Sequence, residues 1–142
     1  MDYMEMSKQF VEKASMLHKI VAHQKIIEAT RGEAYIFQYI AKHDGDVIPG
    51  QISSEMNISS ARIAAILNSL ENKGLITRHI DRDDRRRTII RLTPSGEAES
   101  KKYMRALLES VAKMLERLGE DDSREYIRII SRLVTMDRRH DT

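Results

Sequence analysis

The chain has 142 residues, 41% hydrophobic and 32% charged, which suits one compact domain with a buried core and excludes disorder by composition. Its 24 Lys and Arg nearly balance 22 Asp and Glu, so a formal net charge of +2 does not by itself indicate an acidic partner. Cysteine is absent, which excludes disulfides, a thiolate nucleophile, a Cys-type zinc site and thiol-based redox sensing. No apolar run approaches the ~18 residues of a membrane span, and the start Met1-Asp2-Tyr3-Met4-Glu5-Met6 lacks a signal-peptide layout. A soluble, cytoplasmic protein without a membrane partner is expected.

Gly32, Gly45, Gly50, Gly74, Gly96, Gly119, Pro49 and Pro94 punctuate the chain and outline its elements. Met4 to Ala29 holds neither residue type, and Phe10, Ala14, Leu17 and Val21 recur at helical spacing. One long helix is predicted there, about 35–40 Å at ~1.5 Å per residue. Thr30 and Glu33 form a capping-box pattern ahead of a second helix carrying Ile36, Phe37, Ile40 and Ala41, with Gly45 just past its end.

Pro49 suits a first helical position, and Ile52 and Met56 predict a short helix. Asn57 tolerates the left-handed turn, Ile58 plugs the corner, and the Ser59 hydroxyl caps the next helix. Ile63, Ile66, Leu67 and Leu70 then make an apolar stripe that Gly74 ends. Short helix, tight turn and longer helix make a helix-turn-helix pattern, with the small Ser53 at the crossing. On this segment alone an ordinary helical hairpin fits as well.

The flanking residues decide between them. Segments 75–80 and 88–93 are rich in β-branched and apolar residues, and the stretch between them, Asp81 to Arg87, has no apolar residue. A β-hairpin with a polar tip is predicted, which is a wing. Residues 78–91 carry six Arg against three Asp, a local +3 that exceeds the charge of the whole chain. Guanidinium groups there suit phosphate or a narrow minor groove. Asp83 and Asp84 are near enough to neutralise some of these Arg.

Metal and enzyme chemistry find no support in the pattern. An EF-hand loop started at Asp81 would put Arg86 where Gly is needed and Leu92 where Glu is needed. His18, His23, His43, His79 and His140 are scattered, and His18 and His23 do not share a helical face. No Gly-rich phosphate loop, HExxH or GxSxG elbow is present, and no catalytic residue, cofactor or metal is expected.

The runs Ile52-Ser53, Met56-Asn57-Ile58-Ser59, Leu70-Glu71-Asn72-Lys73-Gly74-Leu75-Ile76, Asp84-Arg85-Arg86 and Leu92-Thr93-Pro94-Ser95-Gly96 resemble the MarR family of bacterial winged-helix transcription regulators. The resemblance spans essentially the whole chain, and its most specific part is the wing. It implies that Arg86 enters the minor groove and that Asp84 holds the wing in shape. Arg82, Arg85 and Arg87 complete the basic tip. The exposed face of the recognition helix would be Ser59, Ser60, Ala61, Arg62, Ala64, Ala65 and Asn68. Relatives often carry a larger polar or basic residue where this chain has Ala65, so base reading is expected to rest on Arg62, with Asn68 as a second reader.

After Thr93 and Pro94, Tyr103, Leu107, Val111 and Leu115 predict another helix that Gly119 breaks. Asp122 with Glu125 is read as the cap of a last helix carrying Tyr126, Ile127, Ile130, Leu133 and Val134. A small winged helix covers only part of this apolar surface, and the family resemblance implies a homodimer. The expected architecture is mainly α with a small β wing (α+β). Residues 30–96 would form a winged helix-turn-helix domain for double-stranded DNA, and 1–29 with 97–142 a helical dimerisation region. The function expected is a repressor on an inverted-repeat operator. A winged-helix protein-interaction module is the alternative. The resemblance also places a small aromatic or phenolic effector, if there is one, where the first two helices meet the helix after the wing. His18, His23, Tyr35 and Tyr39 are its candidate contacts, and partly buried structural aromatics are an equally good account of them.

Overall fold

Asp2 opens the first helix, α1 (Tyr3–Ser15), by accepting the Met4 and Glu5 amides on its carboxylate. The structure is a computed structural model that describes residues 2–43 and 47–137. The long first helix expected over Met4–Ala29 is broken into α1, a 3-10 turn at Leu17–Lys19 and α2 (Val21–Ala29), with Ile20 extended at φ −88, ψ 123. Side chains compete for the carbonyls that a continuing helix would use. The Ser15 hydroxyl donates to Glu12 O, and the His18 ring takes Ser15 O, so the Lys19 amide bonds Met16 O instead. The β-branched pair Ile20-Val21 favours the extended link. No residue of α1 is buried, so no packing within the protomer favours one straight rod.

The Thr30–Glu33 capping box does not form. Helix α3 (Gly32–Lys42) follows Arg31, and Gly32 at φ +55 turns the chain between the helices, which takes Thr30 out of capping register. Thr30 instead ends α2 and donates back to Ile27 O. Glu33 turns to distant partners, accepting from Ser69 Oγ at 3.1 Å and pairing with Lys73. The stop expected at Gly45 lies outside the described residues.

The helix-turn-helix forms as expected. Helix α4 (Pro49–Met56) starts at Pro49, and Asn57 leaves it in the left-handed conformation, φ 52, ψ 46. Ser53 Oγ donates to Ile58 O at 3.0 Å and ties the corner together. Ser59 caps α5 (Ser60–Asn72) by accepting the Arg62 amide at 3.2 Å. Strands β1 (Ile76–Ile80) and β2 (Thr88–Leu92) pair antiparallel from Ile76↔Leu92 to Ile80↔Thr88. Val47 adds a further bridge to Ile90, with amide–carbonyl bonds in both directions at 3.3 and 2.7 Å. No local periodicity announces that bridge.

Thr93 caps α6 (Pro94–Leu118) by accepting the Gly96 amide at 2.9 Å. The cap expected from Asp122 and Glu125 is displaced, because α7 (Glu120–Asp137) starts directly after Gly119. Gly119 at φ +96 makes the reversal alone, which puts Asp121 and Asp122 in the first turn, where their charge still meets the positive helix end. Glu125 pairs with Arg128.

One core joins α3, α4, α5 and the wing. Ile36, Ile40, Val47, Ile52, Ile63, Leu67, Leu70, Ile76 and Ile90 are all buried in it. Burying side chains of this size stabilises by about 1.5–3 kcal/mol each against leaving them in water. The helices outside this core bury little: Ala22 in α2, Gly96 and Ser100 near the start of α6, and Ser123 in α7. Among the described residues no helix is long and apolar enough to cross a membrane.

Candidate nucleic-acid interface

Helix α5 divides cleanly by face. Ile63, Leu67 and Leu70 anchor it in the core, which turns Ser60, Ala61, Arg62, Ala64, Ala65 and Asn68 to solvent, with Ser59 exposed at its cap. Three of these are alanines, so the face is slim and allows close approach of another surface. Arg62 is exposed on the first turn and also borders a cavity of about 570 Å³ with His18, Arg31 and Glu33. At the other end, Asn68 Oδ1 accepts from Arg78 Nη2 at 2.6 Å, and Arg78 Nε donates to Glu71 Oε2 at 2.8 Å. The Arg78 hydrogen bond holds the Glu71 carboxyl below its ordinary range, and Glu71 in turn raises Arg78. Arg78 thus joins β1 to the last turns of α5.

The wing turn is folded by its aspartates. Asp84 Oδ1 accepts the Arg86 amide at 3.1 Å and lies 3.4 Å from Arg86 Nε. The Arg87 amide donates to Asp84 O at 2.9 Å. Asp81 accepts the Asp83 amide at 2.9 Å on Oδ1, and its Oδ2 stands 3.9 Å from Arg87 Nε. The neutralisation anticipated from Asp83 and Asp84 is therefore made by Asp84 and Asp81. Arg82, Arg85 and Arg87 are exposed, and the Arg86 side chain is 92% exposed, so its pairing with Asp84 is weak and does not retain the guanidinium. Two carboxylates fix the backbone while the cations project outward.

The four effector candidates do not converge. Tyr35 and Tyr39 line one cavity of about 370 Å³ together with His43, Glu55, Tyr103 and Leu107. Burial, then Glu55 and Tyr35, push the Tyr39 phenol up, and the ring stacks on His43 at 3.9 Å. Burial, then Glu28, do the same to Tyr103. His18 lines the separate cavity beside Arg62. His23 meets Tyr126 edge-on, with Nε2 and Oη 3.4 Å apart. Sequence reasoning missed His43 and Tyr103 as cavity walls. The first was legible as the residue four after Tyr39 on one helix face; the second was hidden in the apolar stripe of α6. Among the described residues no group of three or more His, Asp or Glu is placed to hold a metal ion.

This architecture is that of a winged helix-turn-helix protein with long flanking helices. The MarR family model matches residues 29–87, which run from the end of α2 to the loop of the wing. The chain is 27% identical over 131 residues to YwhA, an uncharacterized HTH-type transcriptional regulator of Bacillus subtilis, covering 92% of this chain and 86% of the relative. It is similar in fold to the YusO protein of Bacillus subtilis, with a TM-score of 0.74 at 19% identity over 95% of this chain and 98% of that one. It is also similar in fold to Streptococcus pneumoniae FabT, solved in complex with DNA, with a TM-score of 0.71 at 22% identity over 95% of this chain and 96% of the other.

Proposed function

We propose that the protein binds double-stranded DNA sequence-specifically, as a homodimer on an inverted-repeat operator, and represses transcription. One observation carries the reading: the slim exposed face of α5 runs through the Asn68–Arg78 contact into a wing tip whose arginines project outward. A helix with small side chains enters the major groove closely, while a basic tip neutralises phosphates and suits a narrow minor groove. In this reading Ser59 and Ser60 meet the backbone at the helix start and Arg62 reads a base edge. Ala61 and Ala65 supply close apolar contact. Arg86 enters the minor groove, Arg82, Arg85 and Arg87 meet phosphates, and Asp84 holds the turn that aims them.

The flanking helices support the dimer. Phe10 is 70% exposed and Leu133 57%, and Ile127, Ile130 and Val134 are exposed beside Leu133 on α7. Apolar surface of this extent marks an interaction site, and a second copy covers it with two-fold symmetry. Residues 1–29 and 97–142 then act as the dimerisation region, and 30–96 as the reading head. Two heads on one axis require half-sites about one helical turn, ~10 bp, apart.

A small aromatic or phenolic effector would take the cavity that Tyr35 and Tyr39 line with Tyr103 and Leu107 of α6, whereas His18 and His23 stand apart from it. It acts by favouring the head spacing that cannot bind, and needs a few kcal/mol of preference to do so. The deciding experiment is a selection from randomised duplexes with the full chain. Enrichment of a two-fold symmetric site supports the proposal. No enrichment, together with salt-independent contact to duplexes, would instead make this a winged-helix protein-interaction module.

A further inference from the structure

The geometry points to Arg78 as the residue that decides which base Asn68 reads: by holding the Asn68 oxygen, it turns the amide's donor end to the groove and selects guanine over adenine. The inference rests on the DNA-reading proposal above. An unconstrained Asn carries one acceptor and two donors at the end of its side chain, and its preferred partner is adenine, which offers N7 as acceptor and N6 as donor. In this protein Arg78 Nη2 stands 2.6 Å from Asn68 Oδ1. A guanidinium has donors only, so the atom facing it is the oxygen whichever way the amide would otherwise rotate. Nδ2 is then the end directed away from the wing strand.

Arg78 is not at liberty to follow a base itself. Glu71 accepts from its Nε at 2.8 Å and lies 3.4 Å from its Nη2, and the Arg78 side chain is only 30% exposed. The guanidinium is a fixed post, and Asn68 is the exposed group it orients. Ala61, Ala64 and Ala65 carry nothing longer than a methyl, so beyond Arg62 on the first turn Asn68 is the next exposed polar side chain along this face of α5. Guanine offers N7 and O6 to the major groove, both acceptors, and matches an amide whose oxygen is turned to Arg78 and whose Nδ2 carries two donors. Adenine places its N6 amino donor against those donors. Arg78 is a positioning residue; Asn68 makes the contact.

The test is the base composition enriched from randomised duplexes by the full-length protein and its variants. The native chain is expected to enrich guanine over adenine at one position of each half-site, by roughly fivefold or more. Asn68→Ala should flatten that column alone. Asn68→Asp, which removes the donors without disturbing the fold of an exposed residue, should turn the column away from guanine. Arg78→Met should move it toward adenine, because the amide is then able to use both ends, while the remaining columns stay as they are. A merely structural role for Arg78 would weaken all columns together and shift none. Columns indifferent to Asn68→Ala, or an unshifted guanine column in Arg78→Met, would overturn the inference alone. Failure of the native chain to enrich any sequence would overturn the DNA-reading proposal and this inference with it.

Discussion

A Cβ built on Gly96 would stand 2.0 Å from the carbonyl oxygen of Leu75, so the first turn of α6 sits directly on the backbone at the root of the wing. The same oxygen accepts the Thr93 amide at 3.1 Å, and Thr93 Oγ1 donates to Gly74 O at 2.6 Å while accepting the Gly96 amide. The opposing atoms are backbone and have no rotamer through which to retreat. Gly96→Ala is therefore expected to cost about 2 kcal/mol or more, in the upper part of the range for forced overpacking. Chemical denaturation at fixed protein concentration measures it. Native-like stability would mean that α6 is not docked on the wing root as described.

The Arg78–Glu71 pair gives a second prediction, in pH. Its carboxyl is held down by the Arg78 hydrogen bond, so its folded pKa lies below the unfolded value. A depressed acid contributes stability that is present above its unfolded pKa and is lost as pH falls through the folded one. The lock should thus persist through the usual glutamate midpoint of about 4.3 and open only at more acidic pH. Carbon-detected NMR titration of the Glu71 carboxyl should give a midpoint below that value, and Arg78→Met should move it upward. An unshifted midpoint in the native chain would contradict the pairing.

Assembly gives a third. Phe10 on α1 and Leu133 on α7 are largely exposed and have no role in the winged-helix core. Leu133→Glu should shift the protein from dimer toward monomer in sedimentation velocity, with the helical circular dichroism of the core retained. Duplex affinity should fall along with dimerisation, because the two heads are no longer linked. A native chain that sediments as a monomer at high concentration would refute the dimer.

Much of the winged helix was legible because its signals are local. Pro49, Asn57, Ser59, Gly74 and Thr93 each solve a backbone problem within a few residues of themselves, and the stripe from Ile63 to Leu70 has one face to bury. The misreadings share a different cause. Ser15 and His18 divert carbonyls from α1, and Glu33 leaves a local cap for Ser69 and Lys73, over thirty residues away. Likewise the Asn68–Arg78 contact depends on how the wing folds back on α5, and the Val47–Ile90 bridge on how the chain before α4 meets β2. Spacing rules see neighbours in sequence, so contacts made by tertiary packing stay outside their reach. The effector candidates suffered similarly: His18, His23, Tyr35 and Tyr39 share aromatic character but lie against three different sets of neighbours.

The most direct measurement of the central claim is the salt dependence of duplex affinity for the native chain and for Arg86→Ala. Each phosphate neutralised releases condensed counterions, so the native log Kd should rise steeply and linearly with log salt concentration. Arg86→Ala, which removes a wing-tip guanidinium whose side chain is 92% exposed, should weaken binding by roughly 1–3 kcal/mol, and most on sites with a narrow A·T-rich minor groove. Affinity that ignores salt, or an Arg86→Ala variant that binds every duplex as tightly as the native chain, would contradict the assignment of the wing and α5 as the DNA-reading surface.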